Sequence, residues 1–191
     1  MLLDAPTASQ LVDEAVWAVS SGPDSFHEVL DRLPAPIYVT DGDGTVTYFN
    51  QACVELAGRT PEPGRDKWCV TWKIYSADGE FVPHDQGPMA VAIREQRPIR
   101  NVEAIAERPD GTTVNFMPFP TPWFDSDGNM AGAVNLLLDI SAQRGPDYLL
   151  EQAEKCRRLA NSITDAAATD TLNLMAAKYD AQALKLSRLA A

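Results

Sequence analysis

Histidine and cysteine are the side chains whose chemistry is readiest at neutral pH, and this chain holds two of the first and three of the second. His84 is followed directly by Asp85. Sequence neighbours do not naturally turn a carboxylate to the imidazole edge, and no GxSxG nucleophile turn accompanies the pair, so a hydrolytic triad finds no support. Cys53, Cys69 and Cys156 are odd in number and too scattered for a disulfide framework or a CxxC metal site, which fits a reducing compartment. Carboxylates are abundant but fall mostly on turns and outward strand positions, where they read as solvated surface. Without a nucleophile, base and orienting group in one pattern, the chain is expected not to be an enzyme. Trp68 and Trp72, flanking Cys69, are the remaining candidates: either they fill the core, or they form an aromatic wall for a small apolar or planar ligand.

These residues must be positioned by the elements around them. Leu11, Val12, Ala15, Val16 and Val19 form one helical stripe, and Thr7 with Gln10 offers a capping-box start. A second short helix follows Ser25, with Glu28 three residues on, and Pro34 and Pro36 end it. Residues 36–50, PIYVTDGDGTVTYFN, place two β-rich runs around Asp-Gly-Asp-Gly, a strong hairpin signal. One or two helical turns are expected over Gln51 to Ala57, a loop to Asp66, a β-rich stretch from Trp68 to Tyr75, and a turn at Asp78-Gly79. Pro88 suits the first position of a helix over MAVAIREQ, because its missing N–H would be unpaired there anyway. Val102, Ala104 and Ala106 alternate with Glu103, Ile105 and Glu107, the period of a strand with one face inside. The next run, Thr112 to Pro118, puts Val114 and Phe116 on one face, and prolines 118, 120 and 122 predict a bulged or edge-like end.

The run Asn129 to Ser141, NMAGAVNLLLDIS, is apolar on both faces. Ala131, Ala133, Asn135 and Leu137 lie on one, Val134, Leu136 and Leu138 on the other. A strand with one wet face would alternate with polar residues, so the second face needs a cover, from the N-terminal helix or from a second subunit. Val12, Val16, Val134, Leu136 and Leu138 are the expected interface of a homodimer. From Gly145 the chain turns to helix formers, with stripes at Leu149, Ala153, Cys156, Ala160, Ile163 and at Leu172, Met175, Tyr179, Ala183, Leu186. A turn over Thr164 to Thr169 gives a helical hairpin or, if it straightens, one long dimer helix.

The formal charge is -11. Residues 142–191 hold 7 Lys+Arg against 6 Asp+Glu, leaving 9 against 21 for residues 1–141. So acidic a surface repels phosphate backbones and anionic lipid, which argues against nucleic acid and membrane as partners. No run reaches the roughly 20 apolar residues of a membrane span, and the N-terminus lacks a signal peptide's cationic flank. A cytoplasmic location is expected.

Residues 30–141 resemble a PAS domain, a sensor module of bacterial signalling proteins. The resemblance is carried by LPAPIYVTDGDGTVTYFNQACVELAGR, by PMAVAIREQRPI as the family's central helix, and by ERPDGTTVNFMPFPTPWFDSDGNMAGAVNLLLDIS. It implies an α+β fold, a five-stranded antiparallel sheet with flanking helices (30–141), to which the helical stripes on either side add an N-terminal helical cap (1–29) and a C-terminal helical hairpin (142–191). It also implies a ligand pocket between the sheet's inner face and the central helices, lined by Tyr48, Trp68, Trp72, Met89, Ile93, Ala104, Phe116, Asn135 and Leu137. Asp139-Ile140-Ser141 matches the family's Asp-Ile-Thr ending, through which the sheet is coupled to a following helix; Ser stands in for Thr.

Some PAS domains bind haem through a histidine on the central helix. His84 is the only candidate, and it falls four residues before Pro88, in a loop. Light-sensing relatives attach flavin through a cysteine, and Cys69 lies in a comparable region, but the flavin-binding Asn and Gln of those relatives are Phe116 and Leu137 here. Cys69 reads instead as a small buried hydrophobe. His27-Glu28 resembles the phosphoacceptor box of histidine kinases only in part, since the proline, Pro34, comes late and no Gly-rich ATP site follows. The expected function is a stand-alone PAS sensor or interaction module with no obligatory cofactor, relaying ligand or partner binding to a separate signalling protein. The alternatives are a ligand-free dimerisation adaptor filled by its own side chains and a haem-based gas or redox sensor.

Overall fold

The helix starts anticipated at Thr7 and Pro88 are built by the residues that suggested them. The computed structural model describes residues 7–21 and 26–189; Ser25, the expected cap of the second helix, lies outside them. Helix α1 (Ala8–Ser20) opens with Thr7 and Gln10 closing a capping box in both directions. Helix α2 (Phe26–Arg32) follows, then the hairpin β1 (Ile37–Asp41) and β2 (Val46–Phe49). Asn50 caps α3 (Gln51–Ala57) and is itself buried, its amide donating to the carbonyls of Leu30 and Ala35 and its Oδ1 accepting from Ile37 N–H. Strands β3 (Lys73–Ser76) and β4 (Phe81–Val82) precede a 3-10 turn (His84–Gln86) and helix α4 (Pro88–Glu95), whose first residue is the expected proline. Strands β5 (Ala104–Glu107), β6 (Thr113–Phe124) and β7 (Met130–Asp139) complete the sheet, and the short α5 (Ser141–Arg144) leads into α6 (Pro146–Ser162) and α7 (Ala166–Leu189).

The sheet is antiparallel with order β2-β1-β7-β6-β5-β3-β4, seven strands where five were expected. The additional pair, β3 and β4, is a small hairpin added to the β5 edge. Glu107 on β5 pins it, pairing with Lys73 Nζ and accepting the Tyr75 hydroxyl at 2.6 Å. Those two bonds, Lys73 first, hold the Glu107 carboxyl below its usual range.

Strand β6 does not end at its prolines but runs on through them, paired with β7 from Phe116 to Phe124. Prolines 118, 120 and 122 all face away from β7, on the side where β5 pairing has stopped at Phe116. No N–H is needed on that edge. The Pro120 carbonyl there is taken by Ile99 N–H at 3.1 Å and by the Arg100 guanidinium at 3.1 Å.

Two cores result, one on each face of β7. Ala133 and Leu137 face the inner core under α3 and α4; Val134 and Leu136 face the outer core with α1 and α2. The cover for the outer face is therefore the chain's own N-terminal helices. Val12, Val134 and Leu136, assigned above to an interface between subunits, are fully buried inside one chain, Val16 packs at the edge of the same cluster, and Leu138 alone stays 40% exposed. A helix already seated on these side chains removes them from any second surface.

Strand β5 differs from its expected one-sided burial. Ala104 and Ala106 face the inner core, yet Ile105 on the other side is 1% exposed, because the C-terminal helices fold back over it with Leu149, Ala183 and Leu186. The helices form a hairpin, turning at residues 163–165. The first stripe buries Leu149, Ala153, Cys156 and Ala160, while Ile163 falls past the helix end and is exposed. In the second, Ala176 points inward and Met175 outward, so the close α6–α7 contact is made by Ala153, Cys156 and Ala176 rather than by Met175. Among the described residues no helix is long and apolar enough to cross a membrane.

Candidate functional site

The inner face gathers most of the expected lining residues into one cluster. Met89 and Ile93 from α4, Ala104 from β5, Phe116 from β6 and Leu137 from β7 pack together with Cys53, Cys69, Val70 and Ile74, and Trp68 closes the side. Tyr48 does not join them. Its ring lies on the opposite face with Phe26 and His27, and its hydroxyl donates to Asp31 Oδ1 at 2.7 Å, because the register slip between Val39 and Thr40 resets the facing of β2. Trp72 is also elsewhere, 53% exposed just ahead of β3. His27 stacks on Tyr48 as an ordinary helix residue.

Through this cluster runs a buried polar chain that hydropathy gave no reason to expect. Phe119 N–H donates to Asn135 Oδ1 at 2.9 Å, Asn135 Nδ2 donates to the Tyr38 hydroxyl at 3.0 Å, and that hydroxyl donates to the Trp68 carbonyl at 2.9 Å. It ties β6, β7, β1 and the Trp68 loop together. Trp68 itself has φ +68°, a left-handed conformation for a bulky residue, held between the Tyr38 bond and its own N–H on the Gly44 carbonyl at 2.7 Å. The indole rests on Gly44, where a Cβ would come within 2.2 Å of the ring. A glycine is needed there both for contact and for its φ of +78°.

The space left inside is small. Tyr38, Cys69, His84, Met89, Phe116 and Asn135 surround a void of about 10 Å3, room for one water. His84 borders it from the 3-10 turn rather than from α4, its Nε2 buried without a partner, and burial pushes its pKa down, toward the neutral ring. Neither a haem nor a flavin fits a void of that size, so neither group enters the chemistry of this site. Cys69 Sγ lies 3.1 Å from Thr71 Oγ1, and burial pushes its thiol up, away from the reactive thiolate. Among the described residues no cluster of His, Cys, Asp or Glu could hold a metal ion.

A larger opening lies at the other flank of α4. Ile74, Val82, Pro88, Val91, Ile99 and Ala104 line an apolar crevice of about 380 Å3 between α4 and the β3-β4-β5 edge, with Arg97 and Glu103 also on its wall. This is within the ordinary size of small-molecule sites. Of the expected pocket residues only Ala104 reaches it. The crevice exists because the β3-β4 hairpin extends the sheet beyond β5; its sequence signals are the β-rich run ending at Tyr75 and the Asp78-Gly79 turn.

The junction after β7 is anchored on β6. Ile140 N–H donates to the Asn115 carbonyl at 2.9 Å, Asn115 N–H donates to Ser141 Oγ at 3.0 Å, and Asp139 Oδ1 accepts Ser141 N–H at 2.8 Å. Ile140 is buried. Beside it Leu149 of α6 and Gln182 and Leu186 of α7 enclose, with Ile105 and Asn115, a space of about 130 Å3.

Residues 30–145 match a family model described as the PAS fold. No curated protein matches the chain. Solved structures similar to it include the Rhodobacter sphaeroides LOV protein, 12% identical over 95% of this chain and 99% of that one with a TM-score of 0.45. The PAS domain of a Colwellia psychrerythraea protein is 20% identical over 61% of this chain and 94% of its own, TM-score 0.43. The PAS domain of the fruit-fly ELK potassium channel is 13% identical over 61% and 95%, TM-score 0.49.

Proposed function

The chain belongs to the PAS fold family, whose members are sensor domains of signalling proteins, and from that premise we propose that it senses a small ligand at the α4 crevice and passes the change to its C-terminal hairpin. One observation carries the reading: β5 touches both. Ala104 forms part of the crevice wall while its neighbour Ile105 is buried under Leu149, Ala183 and Leu186. Tyr75 repeats this on β3, lining the crevice and packing on the same hairpin cluster. A ligand wedged between α4 and β5 therefore bears on the seat of α6 and α7 through a single strand, and Asp139-Ile140-Ser141 holds the hairpin's other attachment. The ligand shifts the hairpin only by the difference in its affinity for the two seats.

Filling the crevice tests this. Ala104→Phe should occupy the space in place of a ligand and raise hydrogen exchange in α7 while leaving β1 and β2 protected. Unchanged exchange in α7 would sink the relay. The closed inner void favours one second reading, a ligand-free interaction adaptor. Native mass spectrometry separates the two: a retained small-molecule mass supports the sensor, a clean apo mass the adaptor.

A further inference from the structure

The outer face of the sheet carries a separate opening, of about 530 Å3, between the end of α1, the start of α2 and the β6-β7 turn. Its walls include three aromatic rings, Phe26, Trp123 and Phe124, and its rim two carboxylates, Asp41 and Asp125. No Lys or Arg lines it among the described residues. Both carboxylates are held by their own turns. Asp41 Oδ1 accepts the N–H groups of Asp43 at 3.0 Å and Thr45 at 2.8 Å, and Asp125 Oδ1 those of Asp127 at 2.9 Å and Asn129 at 2.8 Å. Neither is in an ion pair among the described residues. The Trp123 indole N–H is buried without a hydrogen-bond partner, beside Gly132, whose missing side chain leaves it room.

We propose that this opening binds a small organic ammonium ion. Aromatic faces attract a cation through their quadrupole, and the two carboxylates add Coulombic attraction at the rim. The chain's net charge of -11 draws cations toward the surface and repels carboxylate and phosphate ligands. The site lies across the sheet from the α4 crevice, and its test does not depend on that crevice binding anything.

Benzoylcholine is the probe, since it joins an aromatic ring to a quaternary ammonium. The uncharged 3,3-dimethylbutyl benzoate and the anionic benzoylglycine are its controls. The readout is the Trp123 indole resonance in proton–nitrogen spectra, assigned with Trp123→Phe. Benzoylcholine should shift that resonance saturably, with a dissociation constant on the order of 1 mM or below. Asp125→Asn keeps the turn acceptor and removes the charge, and Thr47→Lys places a cation on the exposed wall; each should weaken binding about five- to tenfold. If Asp125→Asn disturbs its turn, Thr47→Lys carries the test alone. Equal binding of the uncharged ester, indifference to both substitutions, or a shift confined to Trp68 or Trp72 would each overturn the proposal, as would no saturable shift at all.

Discussion

Tyr38→Phe isolates the polar chain that crosses the inner core. The substitution keeps the ring in a site that is fully buried and removes only the hydroxyl. Two groups then lose their partner, the Trp68 carbonyl and one N–H of Asn135, itself 2% exposed. An unpaired buried group costs about 1–3 kcal/mol, so the pair should cost about 3 kcal/mol in all, or a fall in Tm of about 6–12 °C for a domain of this size. Urea transitions read by far-ultraviolet dichroism and by tryptophan fluorescence would measure it, with the m-value unchanged. The hydroxyl also has a pH signature. Burial first, then the nearby Cys69 thiol, pushes the Tyr38 pKa well above its ordinary value. In the unfolded chain the phenol ionises near about pH 10, while in the folded chain it keeps its proton. Stability from this group is thus complete below about pH 10 and is lost as the pH rises beyond it, because the folded state then binds more protons. The stability difference between wild type and Tyr38→Phe should shrink over that range. A loss under about 0.5 kcal/mol at neutral pH, or a difference that stays flat with pH, would refute the network's role.

Leu136→Asp places a charge with no partner beneath α1, at a side chain with no exposure, and should cost about 3–5 kcal/mol, releasing α1 to limited proteolysis; a stable variant with α1 still protected would contradict the burial. Gly44→Ala combines a left-handed φ with a Cβ driven into the Trp68 ring, worth about 2–4 kcal/mol, and should shift tryptophan emission to the red as Trp68 is displaced. Asp139→Ala removes one exposed hydrogen bond to Ser141 N–H, so stability should fall by only about 1 kcal/mol while hydrogen exchange at the start of α6 rises; an unchanged α6 would separate Asp139 from the junction.

Much of the fold was legible because it rests on local rules. The Thr7 capping box, Pro88 at the head of α4, the Asp-Gly turns and the two-faced run from Ala133 to Leu137 each state a conformation within a few residues. The prolines of β6 were legible in kind, as marks of an unpaired edge, but not in extent: whether the strand continues depends on β7 pairing with its other side. Tyr48 was assigned to the wrong face because a one-residue slip against β1 inverts facing, and such a slip has no signature in composition. Tyr38 was missed because an apolar run does not reveal which aromatic hydroxyl will meet an amide 97 residues away.

What the sequence by itself determined is the family, the element order and the apolar character of both faces of β7, since periodicity and turn chemistry are local properties of the chain. Tertiary structure alone decided what covers those faces and where space remains. The helices that seat on Val134, Leu136 and Ile105 come from the far ends of the same chain, and the inner side chains close their void to the volume of one water while openings persist at both flanks of the sheet. Cavities are what packing leaves over, set by the meeting of residues remote in sequence, and no local pattern records them.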